Sequence, residues 1–513
     1  MQTGKDRDVI ALAFGMLDLP NLTQQDLEQL SVLGRRLIEP VIAVGALTRL
    51  HERDPRNLAT IFELVDAEEF FCLKVEASKH LDLAEPLCRT AQDFACLGDG
   101  YNKLDNVEEA ITALKRAVEL DPDALDYWFD LAVYYGFLGK TDAAEEIYDT
   151  LIAKNVKRNF AFQNRSWSRR QTSARNHVEE LRKAISALPD GPNSEPRILY
   201  ALGKELEDLG EVQESFEWYA AAAAEHRRTL ADYDIERELL RLNEQVRNFT
   251  ADFLAMPREG HSSSEPIFVV SMPRAGSTLV EQILGRHSAV FAAGEMESFQ
   301  RLSNFAAIRV AREAEEIKPF IPSWYARLPF KEIGESYVQS TRPRTGHTLH
   351  FVDKRPLNFI FSGVIACALP NAKIVHVHRD PMDACFAMYK HFLLEGYAFT
   401  YDQRELGQYY VAYRHLMDHW DKVMPGRIIH VAYEELISES ERVTRDLIKR
   451  MELPWEDACL DNSSGVHVSK TASASQVRQP LYKSSIGKWR AVADQLTPLM
   501  DTLEAGGIGI DRP

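Results

Sequence analysis

Between about Thr90 and Ala224 apolar residues recur at the i, i+3, i+4 spacing of amphipathic helices, and the pattern copies itself along the chain. Setting Leu97-Gly98-x-x-Tyr101-x-x-Leu104 over Leu131-Ala132-x-x-Tyr135-x-x-Leu138 gives a shift of 34 residues, and Ala110 then falls on Ala144. The same core returns as Leu202-Gly203-x-x-Leu206-x-x-Leu209-Gly210, and Asp121-Pro122 closes the first unit where a helix should stop. Small residues in this pattern sit where two helices cross closely, and large ones fill the groove beside them. An Arg-rich stretch, Arg165 to Arg182, lies where a degenerate unit is expected. Residues 1 to 88 also read as amphipathic helices, for example Leu27 to Leu50, without a register to the repeats. A helix-like run from Glu236 to Met256 is followed by a polar stretch, Pro257 to Ser264, that reads as a linker. The period then changes. Short apolar runs of strand length (Ile267 to Ser271, Leu349 to Val352, Lys373 to Val377, Ile428 to Val431) alternate with helical segments, which predicts an α/β domain around a parallel sheet.

A 34-residue helix-pair period is that of tetratricopeptide repeats, with a plain helical bundle as the alternative. Stacked helix pairs make a concave surface suited to peptides or partners. The expected organisation is therefore two-part: an all-α domain of tetratricopeptide-like repeats over residues 1–256, a linker over 257–265, and an α/β, P-loop-like domain with a central parallel sheet over 266–513. The length of 513 residues agrees, since it exceeds what one core usually organises.

Charge sharpens this division. The formal net charge is −17, but residues after Thr250 carry 30 Lys and Arg against 32 Asp and Glu, leaving 30 against 45 before them. An acidic first half disfavours nonspecific nucleic-acid binding, while a near-neutral second half can still concentrate cations in one pocket. The six cysteines are scattered with no CxxC pair, so buried thiols are expected rather than disulfides or a zinc site. No apolar run has the length of a membrane-spanning helix, and the first residues lack the basic start and apolar core of a signal peptide. The expectation is a protein without a membrane span and with a cytoplasmic address.

The first strand runs into Met272-Pro273-Arg274-Ala275-Gly276-Ser277-Thr278 and then into a helix from Leu279 to Arg286. This is an anion-binding plan: a glycine allows the tight turn, the first helical amides point at the ligand, and hydroxyls and a guanidinium add donors. It is not a Walker A loop, because GxxxxGK[ST] is absent and no lysine precedes Ser277-Thr278. A phosphate-like group other than a nucleoside triphosphate is implied.

PRAGST after a strand resembles the 5′-phosphosulfate loop of sulfotransferases that use 3′-phosphoadenosine 5′-phosphosulfate (PAPS). The resemblance extends to the tyrosylprotein sulfotransferase family, especially bacterial relatives with tetratricopeptide repeats, and covers roughly residues 266 to 490. It implies the sulfotransferase fold and donor binding by Arg274, Ala275, Gly276, Ser277 and Thr278. Glu295, in Ala293-Gly294-Glu295, aligns with the family's catalytic glutamate and would take the acceptor proton. A capping or salt-bridged glutamate is the other reading, and Glu297 is the substitute base. Lys354, in Asp353-Lys354-Arg355-Pro356, matches the lysine held against the leaving oxygen, Glu295 and Lys354 flanking the sulfur from opposite sides. Arg355 is assigned to acceptor binding or an ion pair.

The strand Lys373 to His378 leads into Arg379-Asp380-Pro381, which resembles the family's 3′-phosphate clamp. Eight residues on, Ala387 stands where the family usually has a serine, and Lys390 is the candidate to compensate. His376 and His378 alternate with apolar residues and read as hydrogen-bonded rather than metal-bound. Tyr433 matches a tyrosine near the adenine, with core packing as the alternative. Ser473 matches the transition-state hydroxyl and Lys488 a lysine approaching the 3′-phosphate, while Gln479 takes a place commonly held by lysine.

These residues make an enzyme the leading reading: sulfuryl transfer from PAPS to an acceptor hydroxyl, without a required metal. The acceptor favoured by the resemblance is protein or peptide tyrosine, held in part by the repeats; a glycan or small alcohol is the alternative. A nucleotide-dependent kinase or NTPase would need ATP and magnesium. An adaptor that has lost turnover would fit Ala387 and Gln479 but not Arg274, Glu295, Lys354 and Arg379 together.

Overall fold

A computed structural model describes residues 3–188, 195–313, 327–393, 396–461 and 486–512. Helices alone fill the described chain up to Ala255, apart from one bridge between Thr172 and Arg175. A five-stranded sheet with flanking helices follows, so the expected architecture of helical repeats and then an α/β parallel sheet is present. Among the described residues no helix is long and apolar enough to cross a membrane.

The repeat pattern corresponds to real helix crossings. The helices Ala91–Lys103 and Val107–Leu120 pair with Leu97, Gly98, Ala110 and Leu114 buried between them. A Cβ on Gly98 would lie 3.1 Å from the Leu114 side chain and 3.2 Å from the Ala110 carbonyl oxygen, a close fit in which the neighbours would have to give by a few tenths of an ångström. In the third unit the crossing is tighter, since a Cβ on Gly203 would lie 2.8 Å from the Tyr219 ring. The Arg-rich stretch forms its own helix pair, Arg158–Ser168 and Val178–Ser186. Its arginines tie the two helices to the preceding one, Thr141–Ala153, and to each other: buried Arg165 reaches Asp149 of that helix and Glu180 of its own pair, both at 2.5 Å, and Arg169 reaches Glu145 at 3.0 Å. Leu27 to Leu50 proves to be two helices, Gln24–Leu37 and Pro40–Arg53. They are divided at Ile38, whose left-handed backbone precedes the proline that opens the second.

Residues 256–265 contain neither helix nor strand but are pinned to the α/β part. The His261 N–H donates to the Ala368 carbonyl at 2.8 Å, and Glu265 accepts both terminal nitrogens of Arg342 at 2.7 and 2.9 Å. Five strands follow: β1 (Pro266–Ser271), β2 (Val290–Ala292), β3 (His350–Asp353), β4 (Lys373–His378) and β5 (Ile428–Ala432). They lie in the order β2-β3-β1-β4-β5, and every pairing is parallel.

Strand alternation sorts the sheet into two apolar faces. Ile267, Val269, Val375 and Val377 pack with the helices Ser277–Gly285 and Ser440–Arg450. Phe268, Val270, Phe351 and Ile374 pack on the other face with Phe299, Tyr337 and Trp420. That second core continues without a break into the later repeat helices, reaching Phe129, Tyr200 and Phe216. The earlier helices keep separate cores, one of them around Leu97, Ala110 and Leu131.

Candidate active site

All five strands run the same way, so the residues that follow their C-terminal ends meet at one edge of the sheet, where parallel α/β folds place ligands. After β1 comes the glycine loop, after β2 Glu295, after β3 Lys354, after β4 Arg379 and after β5 Tyr433. Residues as far apart in the chain as Arg274 and Tyr433, 159 positions, thereby share a rim because each strand delivers one.

The loop after β1 turns through two left-handed residues, Arg274 (φ 65°) and Gly276 (φ 100°), before the helix Ser277–Gly285. Gly276 cannot be replaced freely. A Cβ there would lie 2.4 Å from the Tyr433 ring, and its φ disfavours any side chain. Tyr433 therefore packs against the loop, and the Arg379 guanidinium stands 4.9 Å from the same ring in a cation–π arrangement. Arg379 also donates to the Arg274 carbonyl at 3.4 Å. Ala275, Ser277 and Thr278 are buried beneath the turn. A helix N-terminus with two arginines beside it has the donors and the positive charge to receive an anion.

Glu295 and Lys354 do not stand apart on opposite sides of a shared space, as expected, but are in direct contact, Lys354 Nζ donating to Glu295 Oε1, because the turn after β2 is bonded to the end of β3. The pair is lopsided: the lysine side chain is 1% exposed and the glutamate 36%. The backbone fixes it, because the Lys354 N–H donates to the Gly294 carbonyl at 2.8 Å. Two buried carboxylates hold the turn that carries Glu295. Glu281, on the helix after the loop, accepts the Gly294 N–H at 2.7 Å, and Asp353 accepts the Met296 N–H at 3.4 Å. Burial pushes the Glu281 carboxyl up, with Lys354 pulling it back. Burial likewise pushes Asp353 up to about 7, although it accepts the Tyr337 hydroxyl at 2.9 Å. Tyr397 stands near the pair, and burial together with the Glu295 carboxylate keeps its phenol above the usual range.

Glu297 and Arg355 answer the other expectations for this edge. Glu297 is engaged by Arg301 at 2.8 Å and by Arg355 at 3.2 Å, so Arg355 makes an ion pair. His376 bonds His430 at 3.0 Å and also the Tyr413 hydroxyl, which is the hydrogen-bonded arrangement expected of a strand histidine. Among the described residues no three His, Cys, Asp or Glu side chains are grouped to hold a metal ion.

Lys488 reaches the same region by a different route. The N–H of Gly487 donates to both oxygens of Asp383 at 2.9 Å, and Asp383 lies on the helix Pro381–Tyr389 that follows Arg379. Lys488 Nζ itself pairs with Glu207, from the repeat half, at 3.2 Å. Ser473 and Gln479 lie outside the described residues. Sequence reasoning missed Glu281, Asp353, Asp383, Tyr397 and Glu207. Asp353 sits inside a motif already quoted and Asp383 two residues beyond another, but the other three carry no local signal, because their role comes from packing.

Residues 266–457 match the model of the Sulfotransferase family, and residues 98–139 match a TPR repeat. The first match lies within the α/β part of the chain and the second within the helical part. An uncharacterized protein of Aquifex aeolicus (strain VF5) is 31% identical over 412 residues, 79% of this chain and 54% of the relative. A protein-tyrosine sulfotransferase of Drosophila melanogaster is 21% identical over 231 residues, 44% of this chain and 46% of that protein. The chain spans about half the length of these curated relatives. The sulfotransferase domain of the Synechococcus PCC 7002 olefin synthase is 18% identical, covering 46% of this chain and 98% of that chain at a TM-score of 0.30.

Proposed function

We propose that residues 266–513 form a sulfotransferase domain that moves a sulfuryl group from PAPS to an acceptor hydroxyl, with protein or peptide tyrosine as the acceptor. In this reading residues 1–256 are a repeat domain joined by 257–265 and help to hold the acceptor. The observation that carries it is the Glu295–Lys354 pair, set one strand away from a glycine-turned anion loop on the rim that also carries Arg379. The donor supplies an activated sulfuryl group on a phosphate leaving group.

This chain's own residues supply the rest. Arg274 and Gly276, with Ala275, Ser277 and Thr278, bind the phosphosulfate end through the first helical amides. Arg379 and Lys488 bind the 3′-phosphate, the group that separates PAPS from ATP. Tyr433, already against Gly276 and Arg379, presents its ring to the adenine. Glu295 is the base. Its partly exposed carboxylate is open to an incoming hydroxyl, while Lys354, buried and fixed to the Gly294 carbonyl, places a point charge at the leaving oxygen. Ser473 is assigned the transition-state hydroxyl on the resemblance alone. The protein-tyrosine sulfotransferases among the relatives support tyrosine as acceptor.

The test is transfer of labelled sulfate from PAPS into fractionated extract. Label in protein that is recovered as sulfotyrosine is the expected result; label in carbohydrate or small molecules would reject the acceptor, and no transfer at all would reject the enzyme.

A further inference from the structure

The helix Pro196–Leu209 belongs to the repeats, yet near its end one side chain leaves them. Glu207 Oε1 accepts Lys390 Nζ at 2.7 Å and Lys488 Nζ at 3.2 Å, and Oε2 accepts the Tyr219 hydroxyl at 3.1 Å. Lys390 follows directly on the helix Pro381–Tyr389, whose Asp383 fixes Gly487. Both lysines thus hang from the one helix that follows Arg379. The seam around them is well packed: Phe216 stacks on Tyr389 with centroids 6.0 Å apart, and the Tyr200 hydroxyl donates to the Tyr389 carbonyl at 3.2 Å.

Lys390 is 9% exposed, and the charged groups facing it come from three elements. Arg274 from the anion loop and Lys488 from the C-terminal segment are cations, and Glu207 from the repeat helix is the counter-charge. Its neighbour His391 is buried too; burial, Arg274, Lys390 and Lys204 all push that ring toward its neutral form. Lys204, one turn before Glu207, is paired with Asp208 at 2.7 Å, so Asp208 is committed elsewhere.

We propose that Glu207 is a positioning residue of the donor site, supplied by the repeat layer, which holds Lys390 as a buried ammonium and ties it to Lys488. The anion cradle then carries its full charge only when the helical half is docked. This rests on the donor reading given above. The physical reason is that a desolvated ammonium between two cations gives up its proton unless a carboxylate is close by. Burial already pulls Lys390 downward, and Glu207 opposes that pull through both its charge and its hydrogen bond. The position fits the departure at Ala387: Lys390, three residues beyond it at the end of the same helix, supplies a donor.

The experiment titrates adenosine 3′,5′-bisphosphate into the full chain by calorimetry at pH 7, 8 and 9, where the phosphates are already doubly ionised. For the wild type we expect Kd to change by less than about 3-fold across this range. Glu207→Gln keeps the hydrogen bond and loses the charge; its Kd should weaken about 10-fold from pH 7 to 9 as Lys390 deprotonates. Adding Lys390→Arg to that variant should flatten the profile again, because a guanidinium stays charged. A merely structural role for Glu207 predicts a weakening that is the same at each pH, and that result overturns the inference. Lys390→Gln is read independently and should bind about 10-fold more weakly at every pH; unchanged affinity overturns the inference as well. Failure of the wild type to bind the bisphosphate overturns the donor reading, and this inference with it.

Discussion

Two carboxylate–lysine pairs stand near the rim of the sheet, and they differ in everything but their chemistry. Glu295 and Lys354 come from the ends of neighbouring strands, and the carboxylate is 36% exposed. Glu207 and Lys390 come from opposite halves of the chain, and the carboxylate is 19% exposed and accepts from three donors. A carboxylate with three donors has little capacity left for a fourth proton, and although burial works against it, Lys390 and Lys488 hold Glu207 down at about 2. Glu295 keeps one side toward solvent, where an acceptor hydroxyl would arrive. In the proposed reading the same two residue types serve proton transfer in one place and charge retention in the other, and accessibility makes the difference.

The sharpest test of that contrast is Glu295→Ala. Labelled-sulfate transfer should fall about 10²- to 10⁴-fold, as for loss of a general base, while bisphosphate binding persists. Unchanged transfer would move the base elsewhere and dissolve the comparison. Next is Glu207→Ala, which leaves a buried ammonium without its partner and should lower unfolding free energy by about 3 kcal/mol in urea titrations. Stability equal to the wild type would mean that the seam is held by its aromatic packing alone.

A smaller effect concerns the carboxylate under Glu295. Asp353 sits at about 7 in the folded protein against an ordinary 3.8, so between those values the folded state keeps a proton that the unfolded chain releases. Its stabilising contribution is complete below about pH 4 and is lost as the pH rises through about 7. Asp353→Asn has no such proton, so the gap between wild type and variant should shrink by about 1 kcal/mol between pH 5 and 6. Parallel pH profiles would contradict the raised carboxyl. The smallest expected change is for Glu297→Gln: paired with Arg301 and Arg355, it should alter transfer less than about 2-fold. A loss comparable to Glu295→Ala would make Glu297 the base.

Much of this site was legible before folding because each motif follows a strand. Arg274 to Thr278 are read as an anion loop from their own residues, Glu295, Lys354, Arg379 and Tyr433 from the family resemblance of the short motifs around them, and parallel strands then bring such positions to one rim. The repeat signal was legible for a similar reason, since Gly98 and Gly203 mark close helix crossings that leave little room for a side chain. Glu281 and Glu207 were not legible. Each lies on an amphipathic helix where a glutamate normally faces water, and only its burial against another element reveals a role.

Local order was thus determined by the amino-acid sequence itself: helices at period 3.6, strands as short apolar runs, and an anion loop from a glycine between a strand and a helix. These features depend on backbone geometry and on neighbours within a few residues. Tertiary structure alone decided that the later repeat helices share one apolar core with the sheet while the earlier ones keep their own. It also decided that Glu207 faces Lys390 across 183 residues of chain. No local spacing encodes such a contact, because it exists only where two separately formed surfaces are pressed together and water is excluded between them.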